Sequence, residues 1–279
     1  MSKYYYLIAG LPELMLEDTK LSYTVADFKT ELYPTLSDKD KKIIDLFYLQ
    51  FDNANVLLLL KDREATIDAR GLYEREELLG FIEQIKEGDE VPTHMFPSYL
   101  STFISDYFHQ TDNPQILWED RLSCLYFEYA MKSRNSFVSS WFSFNLTMKN
   151  VMVALTARKY KMEVSSLIVG NTDVCETLRT SNARDFGLQG EVDEMEQFIK
   201  ISEIVDLVER EKKMDQLRWK WMEDASFFHY FTIERLFVFL LQIEMIERWI
   251  SLDKEKGSEL FRNLIDQLKE EVEIPAEFK

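Results

Sequence analysis

Apolar residues recur at spacings of three and four through most of this chain, and the recurrence is interrupted at a few glycines, prolines and polar clusters. The clearest run is TLSDKDKKIIDLFYLQFDNANVLLLLKD, where Ile43, Phe47, Phe51, Asn55 and Leu58 fall along one face. Ser37 stands at an N-cap position, Leu36 precedes it, and Asp40 follows as a short form of the capping-box acid. Asp52 and Asn53 predict a break in this helix, since both side chains compete for backbone groups. A second helix covers YEREELLGFIEQIKEG, with acids in its first turn, Leu78, Leu79 and Ile82 inside, and Gly88 as its cap. LPELMLEDTK predicts a turn and short helix, Thr24–Leu32 a short helix ended by Pro34, and Ser98–His109 another. Asn113-Pro114 reads as N-cap and first helical residue of a long stretch reaching Tyr160, in which the polar composition between Ser133 and Ser140 marks a bend or a helix–helix turn. Beyond the glycines at 170, 187 and 190, EVDEMEQFIKISEIVDLVER carries a helical period through Met195, Ile199, Val205 and Val208. A helix over ASFFHYFTIERLFVFLLQIEMIERWISLDKEKG is apolar on most faces, as a helix surrounded by others is, and Ser258–Glu273 forms the last. The predicted fold class is therefore all-α, long packed helices in lobes or repeated helical units, with a short N-terminal arm. Tyr4–Ala9, the core of that arm, stays open between strand and helix: its tyrosines favour a strand, but nothing nearby offers a pairing partner.

One internal echo stands out. FYLQFDNANVLLLL, shifted by 95 positions, falls on FSFNLTMKNVMVAL, so that Phe47 meets Phe142, Asn55 meets Asn150, Val56 meets Val151 and Leu60 meets Leu155. Helical spacing alone produces many such matches. The coincident asparagines are the informative pair, because an Asn inside an apolar helix can bond the backbone of a neighbouring helix and set how the two cross. With the linker at 89–97, this divides the chain into an N-terminal lobe at 1–95, a central lobe at 96–190 and a C-terminal lobe at 191–279.

Composition agrees with this and narrows the partners. Only 8 glycines and 6 prolines among 279 residues leave little material for tight hairpins, and 46% apolar content supplies a sizeable core. With 33 basic against 50 acidic residues the formal charge is −17, so nucleic acid and anionic membrane are repelled by the average field. Cys124 and Cys175 have no disulfide framework around them and read as reduced thiols. MSKYYYLIAGLPEL lacks a basic n-region and a small-x-small cleavage site, so it is read as a retained apolar arm in a cytoplasmic protein. The most apolar run elsewhere, Leu236–Leu241, falls well short of the ~20 residues of a membrane span.

The search for chemistry assigns no catalytic, cofactor-binding or metal residue, and no cofactor. His94, His109 and His229 form no HExxH or spaced zinc pair, and no Glu stands three residues before any of them, as a dimetal carboxylate bundle would require. His229, within FFHYF, fits an imidazole satisfied at a helix surface or interface better than a catalytic base. Glu244 and Arg248 fit an i,i+4 ion pair, with a buried anchor for a partner helix as the other reading. Gly187–Gly190 lacks the phosphate-loop pattern, and Ser139 and Ser140 have no neighbouring base. REKKMDQLRWKW, Arg210 to Trp221, interleaves cations with Trp219 and Trp221. Glu211, Asp215 and the seven acids of Glu191–Glu209 dilute it, which favours an amphipathic helix whose tryptophans pin another protein over a nucleic-acid stack.

KYYYLIAGLPEL, the FxxELYPxLSDKDKKIIDLFYLQFDNxNVLLLL stretch and FLLQIEMIERWISLDKEKG together resemble a bacterial family of V/A-type ATPase accessory proteins. These proteins are C-like: they take the place of the C-type subunit, the counterpart of the eukaryotic d-type subunit. The resemblance runs over nearly the whole chain and is strongest at 3–60 and 225–257. It implies an all-helical, funnel-like socket that is not an enzyme. Such a socket couples the central-stalk subunits of a rotary ATPase to its membrane rotor ring during proton or sodium transport. The implied location is cytoplasmic and membrane-associated through the complex, with no nucleic acid and no strong direct lipid binding.

Overall fold

The computed structural model describes residues 4–109 and 117–271, with the side chains of the last helix described as far as Asp253. In chain order the helices are α1 (Tyr5–Ala9), α2 (Val25–Asp27), α3 (Asp38–Lys61), α4 (Arg75–Glu87), α5 (Ser98–His109), α6 (Trp118–Met131), α7 (Ser136–Lys159), α8 (Asp173–Thr180), α9 (Met195–Ser202), α10 (Leu207–Ser226) and α11 (Ile233–Glu271). No strand occurs among the described residues, so the all-α class holds. Asn113-Pro114 and the end of the last predicted helix lie outside the described residues.

Local chemistry explains most of the boundaries. The Ser37 hydroxyl accepts the Asp40 N–H at 3.3 Å and caps α3. The Asp40 carboxylate turns to hydroxyls instead of closing a capping box: it accepts from Ser37 Oγ at 2.8 Å and from Tyr4 Oη at 2.6 Å. Gly88, with φ of 89°, ends α4 in the left-handed conformation, and the Asp89 N–H returns to Gln84 O at 2.9 Å, a C-cap open to glycine at low cost. Of the two readings of the polar stretch, bend or helix–helix turn, the turn holds: α6 ends at Met131 and Asn135 caps α7 by accepting the Val138 N–H at 3.2 Å.

Five expectations are corrected. Asp52-Asn53 does not break α3, because other elements engage both side chains: Asp52 accepts the Leu72 and Tyr73 N–H groups at 2.8 and 3.3 Å, and Asn53 accepts the Tyr99 hydroxyl at 2.6 Å. LPELMLEDTK is irregular, held by a local turn in which Asp18 accepts the Met15 N–H at 2.8 Å while its leucines lie on the core. The helical path of α2 does not stop before Pro34 but passes through a π turn at Phe28–Leu32 into a 3-10 turn at Tyr33–Thr35, where a proline near the start loses no needed donor. Val205 lies in the turn between α9 and α10 and is 85% exposed, so the period read through it is interrupted; Asp206 restarts the helix by capping α10 on the Glu209 N–H. Last, FFHYF forms the turn before α11, whose backbone then continues through Gly257 as one helix.

The buried apolar side chains form one connected core from Val25 to Ile246. The middle of α11 is buried almost all round, with Leu236, Phe237, Val238, Leu240, Ile243 and Ile246 all at 0% exposure, and each such side chain contributes about 1.5–3 kcal/mol by leaving water. Helix α3 is the one described helix long and apolar enough to cross a membrane, a stronger candidate than the Leu236–Leu241 run; 67% of its apolar window is covered by the rest of this chain, as in a core helix.

Candidate interaction surface

Several residues singled out by pattern prove to hold the fold together. Asn55 and Asn150 are both fully buried, and each grips one residue of the loop that follows its helix. Asn55 Oδ1 accepts the Asp68 N–H at 2.7 Å and its amide donates to Asp68 O at 3.0 Å. Asn150 does the same to Val169, at 3.0 and 2.6 Å. The partner is therefore a loop and not a helix. In each case the carboxamide copies a backbone pairing for a peptide unit that has no ladder to join. A cation closes each loop again: Lys29 Nζ donates to Ala69 O and Gly71 O, and Arg179 Nη2 to Ile168 O and Gly170 O. Gly71 is required by space, since a Cβ there would lie 2.4 Å from Asp52 Oδ1.

The REKKMDQLRWKW helix also turns inward. Trp219 is 8% exposed and donates to Glu223 at 3.0 Å, while Trp221 stacks on Phe144 of α7 with centroids 5.3 Å apart. Trp221 thus pins α7 of the same chain, against Phe137, Trp141 and Phe144. Arg248 does not pair with Glu244: it bonds Asp215, a fully buried carboxylate that also accepts from Arg218 at 2.7 Å and Trp249 Nε1 at 2.8 Å, and so ties α10 to α11. Glu244 lines a cleft of about 290 Å³ beside this cluster, and burial holds its carboxyl above the usual range against the opposing charges of Arg248 and Arg70. No group of three or more His, Cys, Asp or Glu side chains converges as metal ligands among the described residues.

Exposed aliphatic side chains are scattered, but most of the exposed aromatics lie where the N-terminal arm meets the α10–α11 turn. Within the arm, Tyr5–Ala9 is a one-turn helix with Tyr4 as its N-cap, and no strand among the described residues is there for it to join. The Tyr4 N–H donates to Phe231 O at 2.8 Å, and the Tyr5 ring lies 4.7 Å from that of Phe231. Leu7 and Ile8 pack on the core, but Tyr5 and Tyr6 face outward, so only one side of the arm is an internal plug. Phe227 contacts Phe228 at 4.9 Å and Tyr230 at 6.4 Å. Two ring groups, Tyr5–Phe231 and Phe227–Phe228–Tyr230, lie next to each other in the chain and with Tyr6 make up an aromatic ridge, exposed from 38% at Phe231 to 97% at Tyr6. Scattered exposed aromatics are ordinary; a group of them close together is not.

His229 is the inward member of FFHYF. Its ring meets Phe137 at 5.6 Å, and Nδ1 lies 3.5 Å from Glu234 Oε2, whose carboxylate also accepts from Asn135 at 2.7 Å. It forms one edge of a second cleft, of about 560 Å³, between the starts of α7 and α9 and the end of α10. Phe137 and Trp221 supply its apolar wall, with ring centroids 5.5 Å apart, and Asp193, Glu194, Asp224 and Lys220 its charged rim. Ala225 and His229 line it on either side of Phe227 and Phe228, so cleft and ridge share a border.

The chain belongs to the family described as "Protein of unknown function (DUF2764)". That family's model matches residues 1–272, a span that takes in the arm, both pinned loops, the ridge and the cleft. No curated protein and no solved structure matches the chain. The arm and α3 are marked in the sequence, but the ridge is not, because FFHYF at helical spacing reads as core. The readable signal was density: four aromatics in five residues exceed what one buried helix face can hold.

Proposed function

We propose that this chain is a non-enzymatic helical scaffold that acts by binding another protein, with the Tyr5–Phe231 ridge as its contact surface. The observation that carries the reading is the ridge itself: six clustered exposed aromatics on an otherwise well-buried core, the residue types that dominate binding energy when covered. The charge of −17 favours a protein over an anionic membrane as the cover. Close-packed helices tied by Asp215 and the two asparagines resist deformation, which suits a part that holds or transmits force.

A narrower form of the proposal rests on the sequence resemblance described above. The partners would then be the central-stalk and rotor-ring subunits of a V/A-type ATPase, with the chain cytoplasmic and held at the membrane through that complex. Tagged full-length chain, purified from its native host in mild detergent, distinguishes the two forms. Stalk and ring subunits that co-purify with the wild type and are lost from a Phe228→Ser/Tyr230→Ser variant support the coupling role. A different defined partner, lost in the same variant, supports the general scaffold alone. If no partner depends on the ridge, or if the purified chain hydrolyses ATP, the proposal fails.

A further inference from the structure

We infer that the cleft bordering the ridge receives a cationic side chain, lysine or arginine, carried by the protein that covers the ridge. This rests on the proposal that the ridge binds a protein and adds the chemistry of the bound segment: apolar side chains flanking a positive charge.

Two walls of the cleft suit a cation for different reasons. Phe137 and Trp221 meet at 49° with centroids 5.5 Å apart, forming an aromatic corner whose faces attract positive charge. The same cleft is lined by Asp193, Glu194 and Asp224, which make no ion pair among the described residues and so leave their charge uncompensated. Lys220 is the single cation on the rim, so carboxylates outnumber it three to one.

Behind the rim, Glu234 adds a third element. Its side chain is 3% exposed, and Oε2 is buried with no hydrogen-bond partner, 3.5 Å from the His229 nitrogen that borders the cleft. Glu234 does not line the cleft itself, but its carboxylate sits beside His229, which does, and adds negative charge at that end. The volume of about 560 Å³ exceeds a single guanidinium and leaves room for the stem and its neighbours. The same carboxylates repel anionic lipid headgroups, and the shared border with the ridge places the cation on the segment that docks there.

The test uses the full chain and ethylguanidinium as the probe, with ethylurea as its uncharged counterpart, read by the indole N–H resonance of Trp221, which is assigned with Trp221→Phe. Ethylguanidinium should shift this resonance saturably and ethylurea should not. An Asp193→Asn/Glu194→Gln/Asp224→Asn variant should weaken binding by about tenfold, and Lys220→Gln should tighten it by about threefold. No saturable shift, an equal response to ethylurea, or an unchanged affinity in the triple variant would each overturn the cation site. In the native pull-down, the triple variant should release the partner at physiological salt. A partner that depends on the ridge but ignores the triple variant overturns this inference and leaves the ridge standing. Cation binding with no ridge-dependent partner overturns the protein-binding proposal and, with it, the assignment of the cation to a docked segment.

Discussion

The loops after α3 and α7 solve one problem in two ways. Both follow a 24-residue helix, both are gripped by a buried asparagine, and both are closed by a basic side chain on alternate carbonyls around a glycine. The first loop adds a carboxylate: Asp52, itself fully buried, accepts two further N–H groups at Leu72 and Tyr73, while the loop's own Asp68–Arg70 ion pair is partly exposed. The second adds a thiol: Cys175, 1% exposed, contacts Asn150 at 3.3 Å, Val169 O at 3.4 Å and Thr172 at 3.0 Å. A charged supplement needs access to water or countercharge, and a neutral one does not. The first loop should therefore respond to pH, and the second to packing.

The largest expected effect is on the first loop. Burial pushes the Asp52 carboxyl up to about 6, against the opposing Leu72 and Tyr73 amides and the Lys29 charge. Between the ordinary carboxylate range and pH 6 the folded chain keeps a proton that the unfolded chain has released, so stability falls as pH rises through that window, by up to about 3 kcal/mol. Urea unfolding of wild type and Asp52→Asn at pH 4 and pH 7 isolates this contribution. The variant places an amide against one of the two N–H groups and should be weaker at pH 4, with the gap closing by roughly 2–3 kcal/mol at pH 7. A gap that is the same at both pH values would mean that Asp52 titrates as a solvated acid, and the contrast between the loops would lose its basis.

Next in size are the asparagines. Asn150→Ala strands a fully buried Val169 peptide and should cost about 2–3 kcal/mol, whereas Asn55→Ala leaves an Asp68 peptide that water can reach and should cost about 1–2 kcal/mol. Equal losses in urea melts, or the reverse order, would show that wetness does not separate the two sites. The smallest effect belongs to Cys175→Ser, whose hydroxyl can reproduce the contacts to Asn150, Thr172 and Val169; a change within about 1 kcal/mol is expected. A loss above about 2 kcal/mol would mean that sulfur volume, and not hydrogen bonding, holds the second loop.

How far these features were legible in the sequence varies with their range. Ser37, Gly88 and the apolar period of α3 act within one or two turns, and each stands where the pattern placed it. Asn55 and Asn150 were legible as a matched pair, but their partner was not, because a loop 13 or 19 residues further on carries no mark of its role. Trp219 and Trp221 were read as facing a partner; amphipathic spacing says that one face is apolar and is silent on which chain covers it. The ridge was hidden for the opposite reason: FFHYF has core composition, yet the end of α10 at Ser226 turns those side chains out of register with the core.

By itself, the sequence determined that this chain is helical, where α3, α4 and α5 begin and end, and which asparagines lie on a buried face, because capping, glycine conformation and a 3.6-residue period are local properties of the backbone. Tertiary structure alone decided that Asp52 and Asn53 serve α3 instead of breaking it, that the arm is a helical turn seated against Phe231, and that six aromatics are left outside. Each of those outcomes depends on what lies across from a residue, and that neighbour is supplied by segments that meet only when the core closes.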